Sequence, residues 1–369
     1  MKIIGSHCYG HDGSVCLLED GQIIHWNKEE RLSRKKRDRV PWLALKEIEA
    51  QFDLSDLHCF VSSRPPKLLL DDQTRNADLV NIGHIDYIWE YVGRVYRNWN
   101  RIYMPSHHLC HAANVFYASG FDEAYVLVSD GAGSFFRGGR GVEVETLYRC
   151  RYPDRFEVIH RTVDQWIGIT TAYSIITAFL GMLPMNAGKT MGLAAYGRAN
   201  PDVPDVFREI NSLFPRNKTP MTEIGRIDEL DFPWFGGFGK ALTALSTRLG
   251  TRSLQAINQL TSLPKDSPEF RRYADIAYMG QRGSSDALLD LLRRHVDPES
   301  CNKLCFSGGH AHNCLLNYEI ANAFEGIEFF PDPIANDDGL SIGAAKLVWY
   351  RNTQSREKHP LVDIYGCGL

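Results

Sequence analysis

The sequence predicts an internally duplicated α/β fold in two lobes around a cleft. Three observations carry this. The first 31 residues read strand, turn, strand, turn, strand, with acid and glycine in the first turn. The same pattern returns about 120 residues later, again with acid and glycine in its first turn. Helical periodicity occupies the stretches between and after the two units.

The elements follow in order. Lys2–Cys8 is an apolar strand, Gly10–Gly13 breaks it, and Ser14–Leu18 resumes. Asp20-Gly21 is a strong hairpin turn, after which Gln22–Asn27 returns. Ile85, Ile88, Val92, Val95, Trp99 and Ile102 keep helical spacing, and Arg94, Arg97 and Arg101 share another face of that helix. The second unit opens with Ala124–Ser129, breaks at Asp130–Gly133, and returns through Val142–Arg149 and Phe156–His160. Thr170–Leu180 and Tyr273–Val296 are helical patterns, and Ile342–Trp349 is a closing core helix opened by the Asp338-Gly339 turn. Residues 200–238, rich in Pro, Asn and Asp, read as an irregular insertion or lid. The expected division is an N-terminal lobe over 1–120 and a C-terminal lobe over 121–345, with an insertion at about 200–265. Residues 346–369 are expected to pack back on the first lobe.

With 369 residues, 44% of them hydrophobic and 23% charged, the chain has the composition of a globular protein with a sizeable core. A net charge of -4 excludes a global pull toward polyanions. No secretory h-region follows Met1 and no run of about 18 apolar residues occurs, so a cytoplasmic location without membrane contact is expected. Nine cysteines without Cys-x-x-Cys spacing read as reduced, buried thiols.

The chemistry concentrates in short motifs. His107 and His111 are four apart, which places them on one face of a helix, where two imidazoles can grip one divalent ion. Asp130 and Asp337, in glycine-rich turns, add hard oxygens, and such a set suits Fe(II), Zn(II) or Mn(II). Position 108 is His rather than Glu, which sets a metallopeptidase aside. Ser129-Asp130-Gly131-Ala132-Gly133 and Ser307-Gly308-Gly309 each follow a strand, exposing backbone N–H groups to an anion or letting a nucleotide approach closely. Lys189, in Gly188-Lys189-Thr190, resembles half of a phosphate loop; the alternative is a solvated lysine at a helix start. His11 and Asp12, between glycines, suit proton transfer or a structural turn.

Taken in order, these stretches resemble the O-carbamoyltransferases of nodulation-factor and antibiotic tailoring. They are Gly10-His11-Asp12-Gly13-Ser14, Glu29-Glu30-Arg31, His107-His108-Leu109-Cys110-His111-Ala112-Ala113 and Val128-Ser129-Asp130-Gly131. They continue with Gly188-Lys189-Thr190-Met191-Gly192-Leu193-Ala194-Ala195-Tyr196-Gly197, Ser307-Gly308-Gly309-His310-Ala311-His312-Asn313-Cys314 and Asn336-Asp337-Asp338-Gly339-Leu340-Ser341-Ile342-Gly343-Ala344-Ala345. The family's transfer domain is related to the tRNA threonylcarbamoyl-transfer subunit. The resemblance therefore implies an actin/Hsp70/sugar-kinase fold of two RNase-H-like lobes. It implies that His107, His111 and Asp337 hold a divalent metal, usually iron, with Asp130 at the same site. His11, with Asp12, becomes the proton handler beside the carbamoyl group. Gly308 and Gly309 flank the adenosine of a carbamoyl-adenylate, and Gly131, Gly133, Lys189 and Asn313 complete the candidate cofactor-binding set. The implied reaction moves a carbamoyl group from carbamoyl phosphate, by way of ATP and carbamoyl-adenylate, to an acceptor hydroxyl.

Family members usually carry a further C-terminal domain that makes carbamoyl-adenylate, whereas this sequence ends just after the transfer domain. The expectation is thus a separate adenylate-forming partner, one domain doing both steps, or a different donor. For the acceptor, Arg34, Lys35 and Lys36 lie in a basic run, and Arg94, Arg97 and Arg101 interleave with Tyr87, Trp89, Tyr91, Tyr96 and Tyr103. Cations among aromatics suit a nucleic acid, such as a hydroxymethylated pyrimidine in DNA, and a sugar or natural-product hydroxyl is the equal alternative. A kinase or ATPase of the same fold is the rival class.

Overall fold

The computed structural model describes residues 1–8, 10–63, 102–103, 105–134, 142–164, 168–213 and 233–360. The predicted helix over 85–103, with Arg94, Arg97 and Arg101, lies outside the described residues apart from its last two positions. The first lobe runs β1 (Lys2–His7), β2 (Ser14–Glu19), β3 (Gln22–Lys28), α1 (Glu29–Ser33), α2 (Trp42–Gln51), β4 (Leu57–Ser62) and β5 (Ile102–Tyr103). The second begins with α3 (His107–Ser119), β6 (Glu123–Ser129), β7 (Val142–Arg151), β8 (Arg155–Asp164), α4 (Ile169–Phe179) and α5 (Ala187–Ala194). It continues through α6 (Val206–Leu213), α7 (Pro233–Leu249), α8 (Ile257–Thr261), α9 (Pro268–His295), β9 (Lys303–Ser307), α10 (Cys314–Ala323), β10 (Glu328–Pro331) and α11 (Leu340–Thr353).

The duplication is visible in the strand order. One sheet is ordered β3-β2-β1-β4-β5 and the other β8-β7-β6-β9-β10. In each, the first three strands form an antiparallel meander. The last two then join parallel to the central strand. The Asp20-Gly21 turn closes the β2–β3 hairpin with Asp20 at φ 49 and Gly21 at φ 86, the pair of positive φ values that a tight hairpin turn needs. The central strands β1 and β6 are buried along nearly their whole length, as strands covered on both faces are.

The lobes share a core. Ile3 and Val61 of the first sheet, Val126 and Cys305 of the second, and Phe116 and Leu347 of the helices between them belong to one buried cluster. Helix α11 packs on β1, β2 and β4, α3 packs on β6 and β9, and the two helices pack on each other. Glycines permit this approach. A Cβ on Gly343 would lie 2.0 Å from the Cys110 carbonyl oxygen of α3, and one on Gly5 would lie 1.9 Å from the Ser341 carbonyl oxygen of α11. A second core, built from Ile176, Phe179, Val206, Ile210, Leu245 and Tyr273, holds the helical insertion to the second lobe.

The insertion differs from the expectation of irregular chain over 200–238. Helix α6 forms within it and α7 begins at Pro233; residues 214–232 fall outside the described residues. Val206 and Ile210, one turn apart and both buried, make α6 helical by packing against the second core in spite of nearby Pro and Asp. Cysteines 8, 16, 59, 110, 150, 301 and 305 are buried, as expected, whereas Cys314 is exposed. No helix among the described residues is long and apolar enough to cross a membrane.

Gly343→Ala would drive a methyl group into a backbone carbonyl, so it is expected to destabilise the protein by about 3 kcal/mol, the upper end for overpacking. Gly192→Ala, in a helix where nothing lies within 4 Å of the added Cβ, is expected to stabilise by about 0.5–1 kcal/mol. Thermal melts of the two variants check both signs.

Candidate metal and nucleotide centre

Helix α3 starts where Ser106 caps it, its hydroxyl accepting from the Leu109 N–H at 3.2 Å. It stops at Gly120, which adopts φ 71. Every residue from His107 to Ala118 is buried. On this helix His107 and His111 face the loop after β6, which carries Asp130, and the short 3-10 turn Asp337–Gly339, which opens α11. One ligand atom from each of His107, His111, Asp130 and Asp337 lies within 4.8 Å of the others. His107 Nε2 is 3.2 Å from Asp130 Oδ2 and 3.4 Å from Asp337 Oδ1; His111 Nε2 is 3.5 Å from Asp337 Oδ1.

Two carboxylates this close, one buried and one partly buried, repel each other, and the neighbouring imidazoles answer that field. Burial pushes the Asp130 and Asp337 carboxyls up, yet hydrogen bonding and charge from His107, with His11 also acting on Asp337, hold both well below the usual carboxylate range. In turn, burial opposes the charge on His107, but Asp337 and Asp130 overcome it and raise its pKa to about 10. His111 Nε2 is buried and meets Asp337 Oδ1 only at 3.5 Å, too long for a good hydrogen bond. Two imidazole nitrogens and two carboxylate oxygens around one point, one nitrogen without a close hydrogen bond, fit a divalent cation of the Fe(II), Mn(II) or Zn(II) type.

His11 Nδ1 is 2.7 Å from Asp12 Oδ2 and 3.8 Å from Asp337 Oδ2. Asp12 is buried, sits at φ 55 in the left-handed region, and also accepts from Asn336 Nδ2 at 2.7 Å. Burial works against a charge on His11, but Asp337 and Asp12 raise its pKa to about 9. Gly308 at φ 89 crosses so close to β6 that a Cβ would lie 2.4 Å from the Ser129 carbonyl oxygen. That approach brings the Gly309 N–H to Asp130 Oδ1 at 3.0 Å, so the glycine pair positions a carboxylate of the cluster. Gly133 donates its N–H to the Glu143 carbonyl and leaves room for the His108 ring, which a Cβ would meet at 2.7 Å. His108 is itself a core residue, bonded to Thr146 Oγ1 at 2.8 Å and held neutral by burial. Gly131 has open space around it, and its carbonyl accepts from Thr171 Oγ1.

Beyond Gly309 a pocket is lined by Thr170, Tyr173, Gly188, Met191, His310 and Asn313. Asn313 caps α10, accepting the Leu316 N–H, while its amide group donates to Gln281 Oε1 at 2.8 Å. Lys189 is exposed in the first turn of α5, beside Gly188 of the pocket wall. The basic run forms the loop over the first turn: the Gly13 N–H donates to the Asp38 carbonyl at 2.7 Å. Arg34, Lys35 and Lys36 are exposed on that loop, and Arg37 reaches the Met185 carbonyl at 2.7 Å and Asn186 Oδ1 at 3.3 Å, just before α5. Glu29, of the Glu29-Glu30-Arg31 motif, accepts the Leu43 and Ala44 N–H groups and so anchors the start of α2.

Sequence reasoning missed several groups here. His7 ends β1 with Nε2 3.4 Å from Asp337 Oδ2 and Nδ1 2.6 Å from Ser63 Oγ. His310 is buried with Nδ1 3.2 Å from Thr170 Oγ1 and Nε2 without a partner, and burial lowers its pKa to about 4. Lys28 pairs with Glu30 at 3.0 Å and Asp338 at 3.4 Å. The available signal was proximity: His7 lies three residues before the first turn, and His310 directly follows Gly309.

Fold and cluster together define an actin/Hsp70/sugar-kinase-type protein with a centre suited to a divalent cation at the junction of its lobes. The profile of the family described as "Carbamoyltransferase N-terminus" matches residues 83–346, and the chain belongs to that family. It is 27% identical over 374 residues to nodulation protein NolNO of Sinorhizobium fredii, covering 96% of this chain and 48% of that protein. It is 27% identical over 264 residues to nodulation protein NolO of Bradyrhizobium diazoefficiens, covering 70% of this chain and 41% of that one. With the uncharacterized protein sll1178 of Synechocystis it shares 25% identity, over 96% of this chain and 58% of the relative. The chain thus spans about half the length of the curated relatives it matches. Among solved structures, full-length HypF in its phosphate- and nucleotide-bound form shares the fold at 16% identity, with a TM-score of 0.50 over 95% of this chain and 46% of that one.

The raised pKa values imply a pH dependence in the chelator-treated chain. His11 and His107 titrate near 6.5 when unfolded and near about 9 and about 10 when folded, so their protons stabilise the fold fully below ~6.5. That stabilisation is lost as pH rises through about 9 and about 10. The Tm of chelated protein is therefore expected to fall between pH ~6.5 and 10, with a shallower fall in His107→Gln. A Tm that stays flat or rises over this window refutes the assignment.

Proposed function

We propose that this chain carries out carbamoyl transfer to an acceptor hydroxyl at the junction of the two lobes. The carrying observation is the convergence of His107, His111, Asp130 and Asp337 within 4.8 Å beside the Gly309–His310 pocket, in a chain of a carbamoyltransferase family. His107, His111 and Asp337, with Asp130, would hold a divalent ion, iron being the first candidate. When bound, that ion supplies Lewis-acid polarisation of the carbamoyl carbonyl.

The residues of the chain do the remaining work. With Asp130 and Asp337 neutralised by a cation, Asp12 remains as the partner that orients His11 at 2.7 Å. An imidazole held by a carboxylate is the geometry of a proton handler, taking the hydroxyl proton as the acceptor oxygen bonds to the carbamoyl carbon. The bond from that carbon to the adenylate phosphate oxygen breaks, and AMP leaves. The pocket lined by Tyr173, Gly188, Met191, Gly309 and His310 is the place for the adenosine of carbamoyl-adenylate, made from carbamoyl phosphate and ATP. His310, neutral and with an unpartnered Nε2, would offer the base a hydrogen bond. Lys189 would reach its phosphate. Arg34, Lys35 and Lys36, exposed on the loop over the His11 turn, would meet an anionic acceptor such as a nucleotide or DNA. A neutral sugar or natural-product hydroxyl would use the same cleft without them.

Carbamoyl-adenylate, or carbamoyl phosphate with ATP, incubated with the chain and a panel of hydroxyl acceptors is expected to give a mass gain of about 43 Da, the replacement of a proton by a carbamoyl group. His111→Ala is expected to lose bound metal and transfer together, the metal by at least about 10–100-fold in affinity. Full metal content in that variant by elemental analysis refutes the ligand assignment. Steady ATP turnover, unchanged by His111→Ala, would instead establish a kinase or ATPase.

Reversing the charge of Arg34, Lys35 and Lys36 together separates the acceptor classes. If the acceptor is a nucleic acid, binding weakens for all sequences and the salt slope falls by about one unit for each lost phosphate contact. Metal content is expected to stay unchanged. Efficient transfer to a sugar with no DNA binding at low salt refutes the nucleic-acid acceptor.

A further inference from the structure

We propose that Asp332, acting through Ser307, is a positioning residue that fixes His111 in the tautomer able to bind metal through Nε2. This rests on the metal reading above.

Asp332 follows β10 directly and is buried, 6% exposed. Its Oδ1 accepts from Asn114 Nδ2 at 3.1 Å and from the Ile334 N–H at 2.9 Å. Its Oδ2 accepts from Asn114 Nδ2 at 3.0 Å and from Ser307 Oγ at 2.6 Å. A carboxylate surrounded by donors can only accept, so the single hydroxyl proton of Ser307 points at Asp332. The Ser307 oxygen then has only lone pairs left, and it lies 3.4 Å from His111 Nδ1. That contact is favourable only if Nδ1 carries the hydrogen. The lone pair of His111 is thereby left on Nε2, the atom that faces Asp337 Oδ1 at 3.5 Å.

The relay is closed on itself. His107, His111 and Asn114 follow one another at i, i+4 and i+7 along one face of α3. Asn114 braces Asp332, Asp332 aligns Ser307, and Ser307 returns to the helix at His111. The imidazole is thus held against the same helix that carries it. A purely structural Asp332 would explain its bonds to Asn114 and Ile334, the ordinary brace of a turn. The third donor, Ser307, connects the carboxylate to the cluster.

The test uses the full chain, stripped and titrated with Mn2+ and Zn2+, in the wild type, Asp332→Asn, Ser307→Ala and His111→Ala. Imidazole 15N–1H correlation spectra of the stripped forms report the tautomers. The wild type is expected to show His111 protonated at Nδ1. Ser307→Ala, which releases that constraint, is expected to weaken binding about 10-fold. Asp332→Asn presents an amide donor to Ser307, turning the hydroxyl proton toward His111 and the ring to the Nε2–H form. It is expected to weaken binding about 100-fold. Unchanged affinity in both variants, while His111→Ala loses the ion, overturns the relay and leaves the metal centre standing. If His111→Ala binds as tightly as wild type, the metal reading fails, and the spectra alone decide the relay. There, an Nε2–H ring in the wild type overturns it. Should Asp332→Asn fail to fold, Ser307→Ala decides the question by affinity and spectrum.

Discussion

Two carboxylates, the buried Asp337 and the partly buried Asp130, converge where the two lobes meet, and the surrounding groups are arranged to tolerate them. Buried like charges this close are strongly unfavourable unless something positive lies between or beside them. Here His107 and His111 come from one helix, and the His11 and Asp12 turn closes in from the first sheet. The same constraint explains why the cluster is so well braced. Asp130 is held by the Gly309 N–H, and Asp337 rides on a 3-10 turn that opens a fully packed helix.

That bracing depends on backbone-to-backbone approach. The helix bearing the two histidines and the helix following Asp337 touch through Gly343 and Cys110, and the first strand touches the latter helix through Gly5. At such points side chains would separate the elements by several ångströms and pull the ligand atoms apart. Glycine therefore sets the geometry of the cluster indirectly, from positions that never contact it. Gly308 does the same for Asp130, since its positive φ lets the β9 loop cross β6 at van der Waals limit.

The site joins two chemical environments. Toward the first lobe it is charged and proton-bearing, with His11, Asp12 and Lys28 near the acidic turn of Asp337 and Asp338. Toward the insertion helices it is apolar with a few polar handles: Met191, Tyr173 and the neutral His310. Arg37 spans from one side to the other, binding the chain just before Gly188. A reaction that holds a nucleotide on one side and moves a proton on the other matches this division.

Local patterns in the sequence were enough to reveal the two strand–turn–strand–strand units, the closing helix and the residues of the cluster. Strand alternation, hairpin glycines and the His-x-x-x-His spacing on a helix are properties of neighbours in the chain, so they can be read without knowing what packs where. The helical character of 206–213 was not legible, because it comes from packing Val206 and Ile210 on a distant core rather than from propensity. Nor were the supporting groups. Asp332 and Ser307 are 25 residues apart, Asn114 and Asp332 are 218 apart, and His7 meets Asp337 across the whole length of the chain. Such contacts carry no periodicity and no spacing rule; parallel strand pairing and the α3–α11 contact bring them together. The sequence by itself determined the candidate side chains, because residue type and spacing are local properties of the chain. Only the tertiary structure decided which of them face one another, which tautomer His111 is held in, and that Gly133 and His108 serve packing, because burial and hydrogen-bond partners are properties of the folded whole.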